Sequence, residues 1–428
     1  MFNDFAKKLN LKKDPWMTIS IIMPLLVGLG IPKRICQTLA WYLLSLMVSA
    51  DKHTQKFAAK ISGRASSLFS NLLINHFDVS TVALNRAARR RIQKLMKSRA
   101  ALSKDAPWKI AIIIDATLHQ RSTRHTENAK KFNHGKGYVL GHQWTNVGIY
   151  IAGQYVPLPP IAFYSKDECK KRGILYKTEN EKVNEYLRTM PLTDILGPHD
   201  HSEIVVIMDS GYDSKKLKNT IIRRKWDFII SLKSDRNMSN KDKQWIRVST
   251  YFKDGRRSWK TFRIKTDGGK SKWHSYATKQ LEGNLKGVKD TLKLICSKRS
   301  DGKILFLACS NLKVTVKTIL YCYQQRWATE IFHRSIKSNL GLEDSGAHKF
   351  DTLHAHIHWV YCAYIFLHEL VEDNNIGVKG KQTVLEAKIE IQKIKKVIQK
   401  ATQFSGANKV KEYCFEVVDD IERVYMAA

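Results

Sequence analysis

The sequence predicts an α/β protein built on a mixed β-sheet with flanking helices. Two apolar runs that each end in an acid, residues 108–115 and 203–209, are typical of buried strands. Helix-like stretches alternate with these runs along the chain, and a strongly basic, helix-rich region precedes them. Further β-rich segments separated by glycine and charged turns follow at residues 236–314. The sequence therefore predicts a helical N-terminal domain and a β-rich insertion beside the sheet.

The N-terminal region, residues 1–104, is predicted to be helical. Its apolar runs, residues 18–31 and 39–50, are interrupted by Pro24 and Gly28 and separated by Lys33 and Arg34. Neither run reaches the roughly 20 residues that a membrane span needs, and the first residues lack the pattern of a signal peptide. We expect buried helices and a cytoplasmic protein.

A basic helix is predicted at the end of this region. Its cations are Arg86, Arg89, Arg90, Arg91, Lys94, Lys97 and Arg99. The whole chain has 73 Lys+Arg against 39 Asp+Glu, a formal charge of +34, which attracts polyanions. We predict that Arg89, Arg90 and Arg91 contact DNA phosphates. A solvated basic helix without a partner remains an alternative, and charge alone is equally compatible with RNA binding.

The next elements follow a regular order. Strands are predicted at residues 108–115, 141–152, 154–164, 203–209 and 227–232, with helices at 182–190 and 214–225. Three strands, helix, strand, helix, strand is the chain order of the ribonuclease H-like fold, in which the first and fourth strands are neighbours. Asp115 and Asp209 are then expected at adjacent strand ends. Asp213 and Asp235 are alternatives to Asp209 as the acid that lies beside Asp115. For Asp213 a helix N-cap is the simpler role, and Asp235 follows a strand but lies in a polar turn.

The segment after residue 235 is too long for a plain core of this type. Residues 236–314 contain four stretches with strand patterns, at 259–265, 273–278, 290–296 and 303–309. Trp245, Trp259 and Trp273 are either core residues of this insertion or stacking residues for bases.

The most informative motif is Tyr323-Gln-Gln-Arg326-Trp-Ala-Thr-Glu330, continued to Lys337. On a single α-helix, which turns roughly 100° per residue, Tyr323, Arg326, Glu330 and Lys337 share one face. A carboxylate that lies among cations suits a site that handles phosphate, because it can hold a divalent metal while the cations hold phosphate oxygens.

Other motifs carry less information. His354 and His358 share a helix face, but no further ligand completes a zinc site. The seven cysteines form no CxxC pair, which indicates reduced thiols rather than a zinc ribbon or a disulfide framework. No GxxxxGK[ST] motif is present, so no nucleotide cofactor is expected.

Three motifs together resemble the DDE transposases of prokaryotic insertion sequences, in the group with a Tyr-Arg-Glu-Lys signature. They are Ile113-Ile-Asp115-Ala-Thr117, Val206-Ile-Met-Asp209-Ser-Gly211-Tyr212 and the helix with Glu330, and the resemblance spans residues 105–372. It implies that Asp115, Asp209 and Glu330 are the catalytic residues and hold two Mg²⁺ or Mn²⁺ ions. It also implies DNA or phosphate contacts from Tyr323, Arg326, Trp327 and Lys337.

The resemblance further implies cut-and-paste transposition by a homodimer that assembles on DNA. This homodimer is expected to bind the terminal inverted repeats of its element and a target DNA. The expected location is a prokaryotic cytoplasm, beside the nucleoid. The predicted domains are 1–104 (helical, DNA-binding), 105–235 (first part of the ribonuclease H-like core), 236–314 (insertion), 315–372 (second part of the core) and 373–428 (helical). Two other functions remain open. One is a nuclease of the same fold without strand transfer, and the other is a DNA-binding relic without catalysis.

Overall fold

The computed structural model describes residues 22–23, 26–48, 53–98, 107–121, 125–135, 137–239, 244–253, 258–265 and 273–373. The predicted C-terminal helices beyond residue 373 lie outside the described residues, as does the side chain of Trp273. The chain divides into two compact units. A helical unit groups Met1–Ala88, Thr123–Glu127 and His333–Ala428, and a sheet unit groups Arg89–Ser122 and Asn128–Phe332.

The helices are α1 Lys33–Val48, α2 Gln55–Ser62, α3 Ser66–Asn75, α4 Phe77–Ser98, α5 Lys166–Arg172, α6 Glu179–Thr189, α7 Leu192–Leu196, α8 Lys215–Arg223, α9 Val248–Lys253, α10 Val316–Gln324, α11 Trp327–Asn339 and α12 Phe350–Asp373. The strands are β1 Ile110–Gln120, β2 Lys130–His134, β3 Gly137–Ile151, β4 Gln154–Pro157, β5 Ile161–Ala162, β6 Ile204–Met208, β7 Asp227–Leu232, β8 Asn237–Ser239, β9 Trp245–Arg247, β10 Lys260–Lys265, β11 Trp273–Leu285, β12 Leu292–Arg299 and β13 Ile304–Cys309.

In the described part of the chain these strands form one large mixed sheet. Its order is β2-β3-β1-β6-β7-β13-β12-β11-β8-β9, with β10 on β11 and with β4 and β5 on β3. The pairs β1–β6 and β6–β7 are parallel, and the pair β1–β3 is antiparallel. The predicted mixed α/β class is confirmed, and the order β3-β1-β6-β7 is compatible with the ribonuclease H-like fold. The first and fourth predicted strands are neighbours, as expected.

The central strands owe their position to continuous apolar runs. Every residue of β6, and Ile110–Ile114 of β1, is buried, as expected for parallel strands that are covered on both faces. Helix α8 places Leu217 and Ile221 in the core beside this sheet. Asp115 lies within β1, and Asp209 is the first residue after β6.

Some strand boundaries differ from the sequence prediction, and two of these differences lie next to β3. Strand β1 continues to Gln120 because β3 pairs with it as far as Gln120↔Gly141. The predicted strand at residues 154–164 is instead two short strands, β4 and β5. Pro159 and Pro160 separate the two strands, because proline has no backbone N–H to donate to a ladder.

The helical unit has a core that includes histidines of α12. The Tyr42 hydroxyl lies 2.6 Å from Nδ1 of His356, whose Nε2 lies 2.9 Å from the carbonyl of Gly341. Nδ1 of His358 lies 2.9 Å from the hydroxyl of Ser80. These histidines therefore serve packing within the helical unit. None of the helices in the described ranges is long and apolar enough to cross a membrane.

We expect Gly148→Val in β3 to lower the midpoint of thermal unfolding. A Cβ at Gly148 would lie 2.2 Å from the Tyr155 ring, and that ring packs on Phe332 with centroids 5.1 Å apart. Overpacking of this kind costs roughly 1–3 kcal/mol. Gly137→Val is the control, because the same strand leaves open space around Gly137. Equal shifts of the midpoint in differential scanning calorimetry would contradict this packing.

Candidate active site

Asp115 and Asp209 occupy equivalent positions on neighbouring parallel strands. The pairing of β1 with β6 ends at Ile114↔Met208, and each acid is the next residue along its strand. Adjacent strands lie about 4.8 Å apart, so the two carboxylates start from neighbouring backbone positions. The sequence predicted this juxtaposition from the order of the strands.

Arg326 joins Asp115 to Glu330. Its Nη1 lies 3.0 Å from Oδ2 of Asp115, and its Nη2 lies 2.7 Å from Oε1 of Glu330. The side chains of Asp115 and Arg326 are largely buried, whereas Glu330 is about one third exposed at 34%. Charge-assisted contacts of this length are among the stronger hydrogen bonds in proteins. The two elements that carry the acids are thus connected through one guanidinium.

The electrostatics of the site make the three acids one group. The pKa of Asp115 is raised to about 6, chiefly by burial and also by the charges of Asp209 and Glu330, while Arg326 lowers it. Burial also raises the pKa of Tyr323, with a contribution from the charge of Asp209. Asp209 and Glu330 therefore both lie within electrostatic range of Asp115. Such a concentration of negative charge in a partly buried site attracts cations.

The motif around Glu330 is not one continuous helix, which corrects the sequence prediction. Tyr323 lies in α10 and Glu330 in α11, and Gln325 and Arg326 form a turn between them. The backbone N–H groups of Gln325, Arg326 and Thr329 each donate to the carbonyl three residues earlier. This tighter winding breaks the regular 100° spacing. Arg326 binds both acids from the turn.

The other residues of the motif differ in their surroundings. The Trp327 side chain is 52% exposed, so its ring is accessible to a nucleotide. Lys337 Nζ lies 3.1 Å from Oε1 of Glu343, and both residues belong to the helical unit. The structure gives Lys337 a carboxylate partner that the sequence did not predict.

The basic helix presents its three predicted phosphate ligands unequally. Arg89 is exposed and Arg90 is half-buried. Arg91 is 1% exposed, and its guanidinium donates to the side-chain oxygen of Gln154. The helical periodicity that exposes Arg89 turns Arg91 inward, so the structure does not present Arg91 to DNA.

The alternative second acids have other surroundings. Asp213 is buried in an ion pair with Lys218, and the N-cap of α8 is Ser214 rather than Asp213. Asp235 is exposed in a turn after β7, and β7 does not pair with β1. Of Asp209, Asp213 and Asp235, Asp209 is the one that directly follows β6, the strand that pairs in parallel with β1.

The donor set suits a hard divalent cation, because carboxylate oxygens are the ligands that Mg²⁺ and Mn²⁺ prefer. In the described ranges no three His, Cys, Asp or Glu side chains are close enough to hold one ion. Arg326 lies between Asp115 and Glu330, and Oδ1 of Asp209 accepts the N–H of Gly211 at 2.9 Å. The three carboxylates are therefore suitable ligands for a divalent cation in donor type and in charge. In this structure the guanidinium of Arg326 neutralises two of them, Asp115 and Glu330.

A fourth carboxylate, Glu179, lies next to this group. It is the first residue of α6 and accepts hydrogen bonds from three side chains, Tyr212, Thr145 and Gln143. The helix predicted at residues 182–190 left Glu179 outside it, whereas in the structure the helix begins at Glu179, after a capping box formed by Thr178 and Glu181. An acid in the first turn of a helix is normally explained by its favourable interaction with the helix dipole. The sequence therefore did not indicate that Glu179 contacts Tyr212, Thr145 and Gln143.

Asp115 on β1 is joined by Arg326 to Glu330 on α11, and Asp209 follows the neighbouring strand β6. These residues define a candidate site for phosphoryl transfer. The family model described as Transposase DDE domain matches residues 162–366, just under half of the chain. That match includes Asp209 and Glu330 and begins after Asp115. It supports transposase function in general terms.

The comparison with solved structures finds a similarity to a piggyBac transposase synaptic complex with hairpin DNA. The identity is 10%, the match covers 96% of this chain and 80% of that chain, and the TM-score is 0.42. No curated protein matches this chain.

Proposed function

We propose that this protein is a DDE transposase of a prokaryotic insertion sequence, in the group with the Tyr-Arg-Glu-Lys signature. It would cleave DNA at the ends of its element and join the freed ends to a target. The observation that carries the proposal is the convergence of Asp115, Glu330 and Arg326, with Asp209 at the adjacent strand end. The Transposase DDE domain match supports it independently.

The proposed reaction has two displacements at phosphorus. In the first, a water oxygen bonds to the scissile phosphorus, the bond to O3′ breaks, and a 3′-hydroxyl and a 5′-phosphate result. In the second, that 3′-hydroxyl attacks a target phosphodiester, so one P–O bond forms as another breaks and no external energy source is needed. Asp115, Asp209 and Glu330 would hold two Mg²⁺ or Mn²⁺ ions, which when bound supply activation of the attacking oxygen and charge stabilisation of the leaving oxygen.

The cationic and aromatic residues of the motif would position the DNA. Arg326 is planar and has a second pair of donors, so it can exchange a carboxylate for a phosphate oxygen with little change of shape. Trp327 is exposed on the adjacent helix turn and suits stacking with a nucleotide near the cleaved end. Tyr323 and Lys337 are proposed to hold flanking phosphates.

The proposed binding partners of the protein are the two ends of the element and a target duplex. Its formal charge of +34 favours binding to these DNA molecules. Because two ends must be cut and joined together, we propose a homodimer on DNA, acting in a prokaryotic cytoplasm beside the nucleoid.

We expect Arg89→Gln to weaken duplex binding and to reduce the log–log salt slope by roughly 0.9, the value for one lost phosphate contact. Arg91→Gln should leave the slope unchanged, because Arg91 is buried against Gln154. Fluorescence anisotropy with a labelled duplex at 50–300 mM salt, a range of about six-fold, measures both slopes. An unchanged slope for Arg89→Gln would mean that this helix face does not contact DNA.

The proposal is tested with the gene and its flanking DNA on a donor plasmid, purified protein, Mg²⁺ and a separate target plasmid. Sequencing of the products is expected to show element 3′-ends joined to the target, flanked by a short target duplication. Cleavage without joined products would favour the nuclease. Binding without cleavage by the wild-type protein would favour the relic.

A further inference from the structure

Glu179 connects strand β3, which pairs with the strand that carries Asp115, to the turn that follows Asp209. Its Oε1 accepts from the Tyr212 hydroxyl at 2.5 Å and from the Thr145 hydroxyl at 2.6 Å. Its Oε2 accepts from Nε2 of Gln143 at 2.7 Å. A carboxylate can accept all three bonds at once because it has two oxygens and no proton to place.

One side of this network fixes Glu179 to strand β3. Thr145 pairs with Ala116 of β1, and its neighbour Asn146 pairs with Asp115. The anchor of Glu179 on β3 is thus one residue from the position opposite the first acid. Because strand pairing is rigid, the position of Glu179 is set relative to Asp115.

The other side of the network fixes the turn that follows Asp209. Tyr212 is 3% exposed, and its N–H donates to the carbonyl of Asp209 at 3.2 Å. The N–H of Gly211 donates to Oδ1 of Asp209 at 2.9 Å, and Nδ2 of Asn180, the residue after Glu179, donates to the carbonyl of Gly211 at 3.1 Å. The start of α6 therefore holds the turn at two points.

We infer that Glu179 is a positioning residue that sets the placement of Asp209 relative to Asp115, and so the ability of the two acids to share metal ions. This inference rests on the proposed function. Pairing of β1 with β6 ends before either acid, so the backbone ladder does not constrain Asp209 itself. The contacts of Glu179 provide the constraint, from β3 on one side to the Asp209 turn on the other.

Glu179→Ala is expected to lower Mn²⁺ affinity by roughly 10–100-fold, the usual effect of losing a partner that orients metal ligands. Titration calorimetry on the full chain without DNA measures this affinity directly. In a cleavage assay, the Mn²⁺ concentration for half-maximal rate should rise by the same factor, and the rate should recover partly at high Mn²⁺.

Two further variants separate positioning from direct use of the charge. Glu179→Gln keeps a carbonyl oxygen for Tyr212 and Thr145, and the Gln143 amide can turn its oxygen toward the new NH₂. It should therefore bind Mn²⁺ within a few-fold of wild type. A Glu179→Gln protein as weak as Glu179→Ala would overturn the inference, because the charge itself would then be needed.

Glu185→Ala is the matched control, since Glu185 is on the same helix and its half-exposed carboxylate pairs with Lys177. Its Mn²⁺ affinity should equal that of wild type. If Glu179→Ala does not fold, Tyr212→Phe and Thr145→Val each remove one bond, and both should weaken Mn²⁺ binding. The inference would be contradicted if Glu179→Ala, or both Tyr212→Phe and Thr145→Val, bound Mn²⁺ with wild-type affinity.

These outcomes are distinguishable from failure of the proposed function. If Asp209→Ala cleaves as well as wild type, the proposed function is wrong. If Asp209→Ala is inactive and Glu179→Ala binds Mn²⁺ normally, only the role of Glu179 is wrong.

Discussion

Asp115→Ala, Asp209→Ala and Glu330→Ala are each expected to abolish DNA cleavage and to leave duplex binding within a few-fold of wild type. Two of these acids bind one guanidinium and all three interact electrostatically, so loss of one changes the whole group. Loss of a carboxylate removes negative charge and no cation, so the attraction for phosphates persists. A single-turnover cleavage assay beside an anisotropy titration measures both quantities.

The control for this experiment is Asp235→Ala. Asp235 is an exposed acid after β7 and is one of the two alternatives, with Asp213, that the sequence left open. It should cleave at the wild-type rate. If Asp235→Ala is inactive while Asp209→Ala retains activity, the assignment of the second acid is wrong.

Asp115→Asn is expected to stabilise the metal-free protein at neutral pH while it abolishes cleavage. Burial, together with the charges of Asp209 and Glu330, holds the pKa of Asp115 at about 6 rather than 3.8, so the folded state disfavours the ionised form. The difference between 3.8 and about 6 corresponds to roughly 3 kcal/mol. Asparagine removes this cost and can still accept a hydrogen bond from Arg326. Thermal unfolding with a chelator present should show a midpoint higher by several degrees.

The pH dependence of this gain has a definite sign. Because the folded pKa exceeds the unfolded pKa, the folded protein binds more protons than the unfolded chain between about pH 4 and 6, and the wild type loses stability as pH rises through that range. The increase in the free energy of unfolding caused by Asp115→Asn should therefore be complete above pH 6 and should vanish below about pH 4. The exposed Asp235→Asn should show no such trend, and a pH-independent gain would contradict the assigned cause.

The sequence predicted those parts of the fold that local pattern determines. Residues 227–232 form the expected strand, and the apolar runs before Asp115 and Asp209 are buried side by side. Alternation, apolar runs and chain order suffice for such elements, because burial in a parallel sheet requires a nearly continuous apolar strand.

Features that depend on tertiary contacts had no local signal. The helix that should have carried both Tyr323 and Glu330 breaks where Arg326 turns to Asp115, a partner 211 residues earlier. By sequence, Arg91 is one of several cations of a basic helix and Glu179 precedes the helix predicted at residues 182–190. In the structure Arg91 contacts Gln154 and Glu179 contacts Tyr212. Periodicity places a charged residue on a face, but only the packed neighbours decide whether that face is solvent.

The most direct test of a metal-dependent three-acid site is a change of metal preference. Asp209→Cys replaces a hard oxygen ligand by a thiolate, which suits softer metals than Mg²⁺. We expect this variant to be inactive in Mg²⁺ and to regain cleavage in Mn²⁺, while wild type and Asp235→Cys cleave in both. Cleavage by Asp209→Cys at the wild-type rate in Mg²⁺ would contradict a role for Asp209 as a ligand, and with it the proposed site.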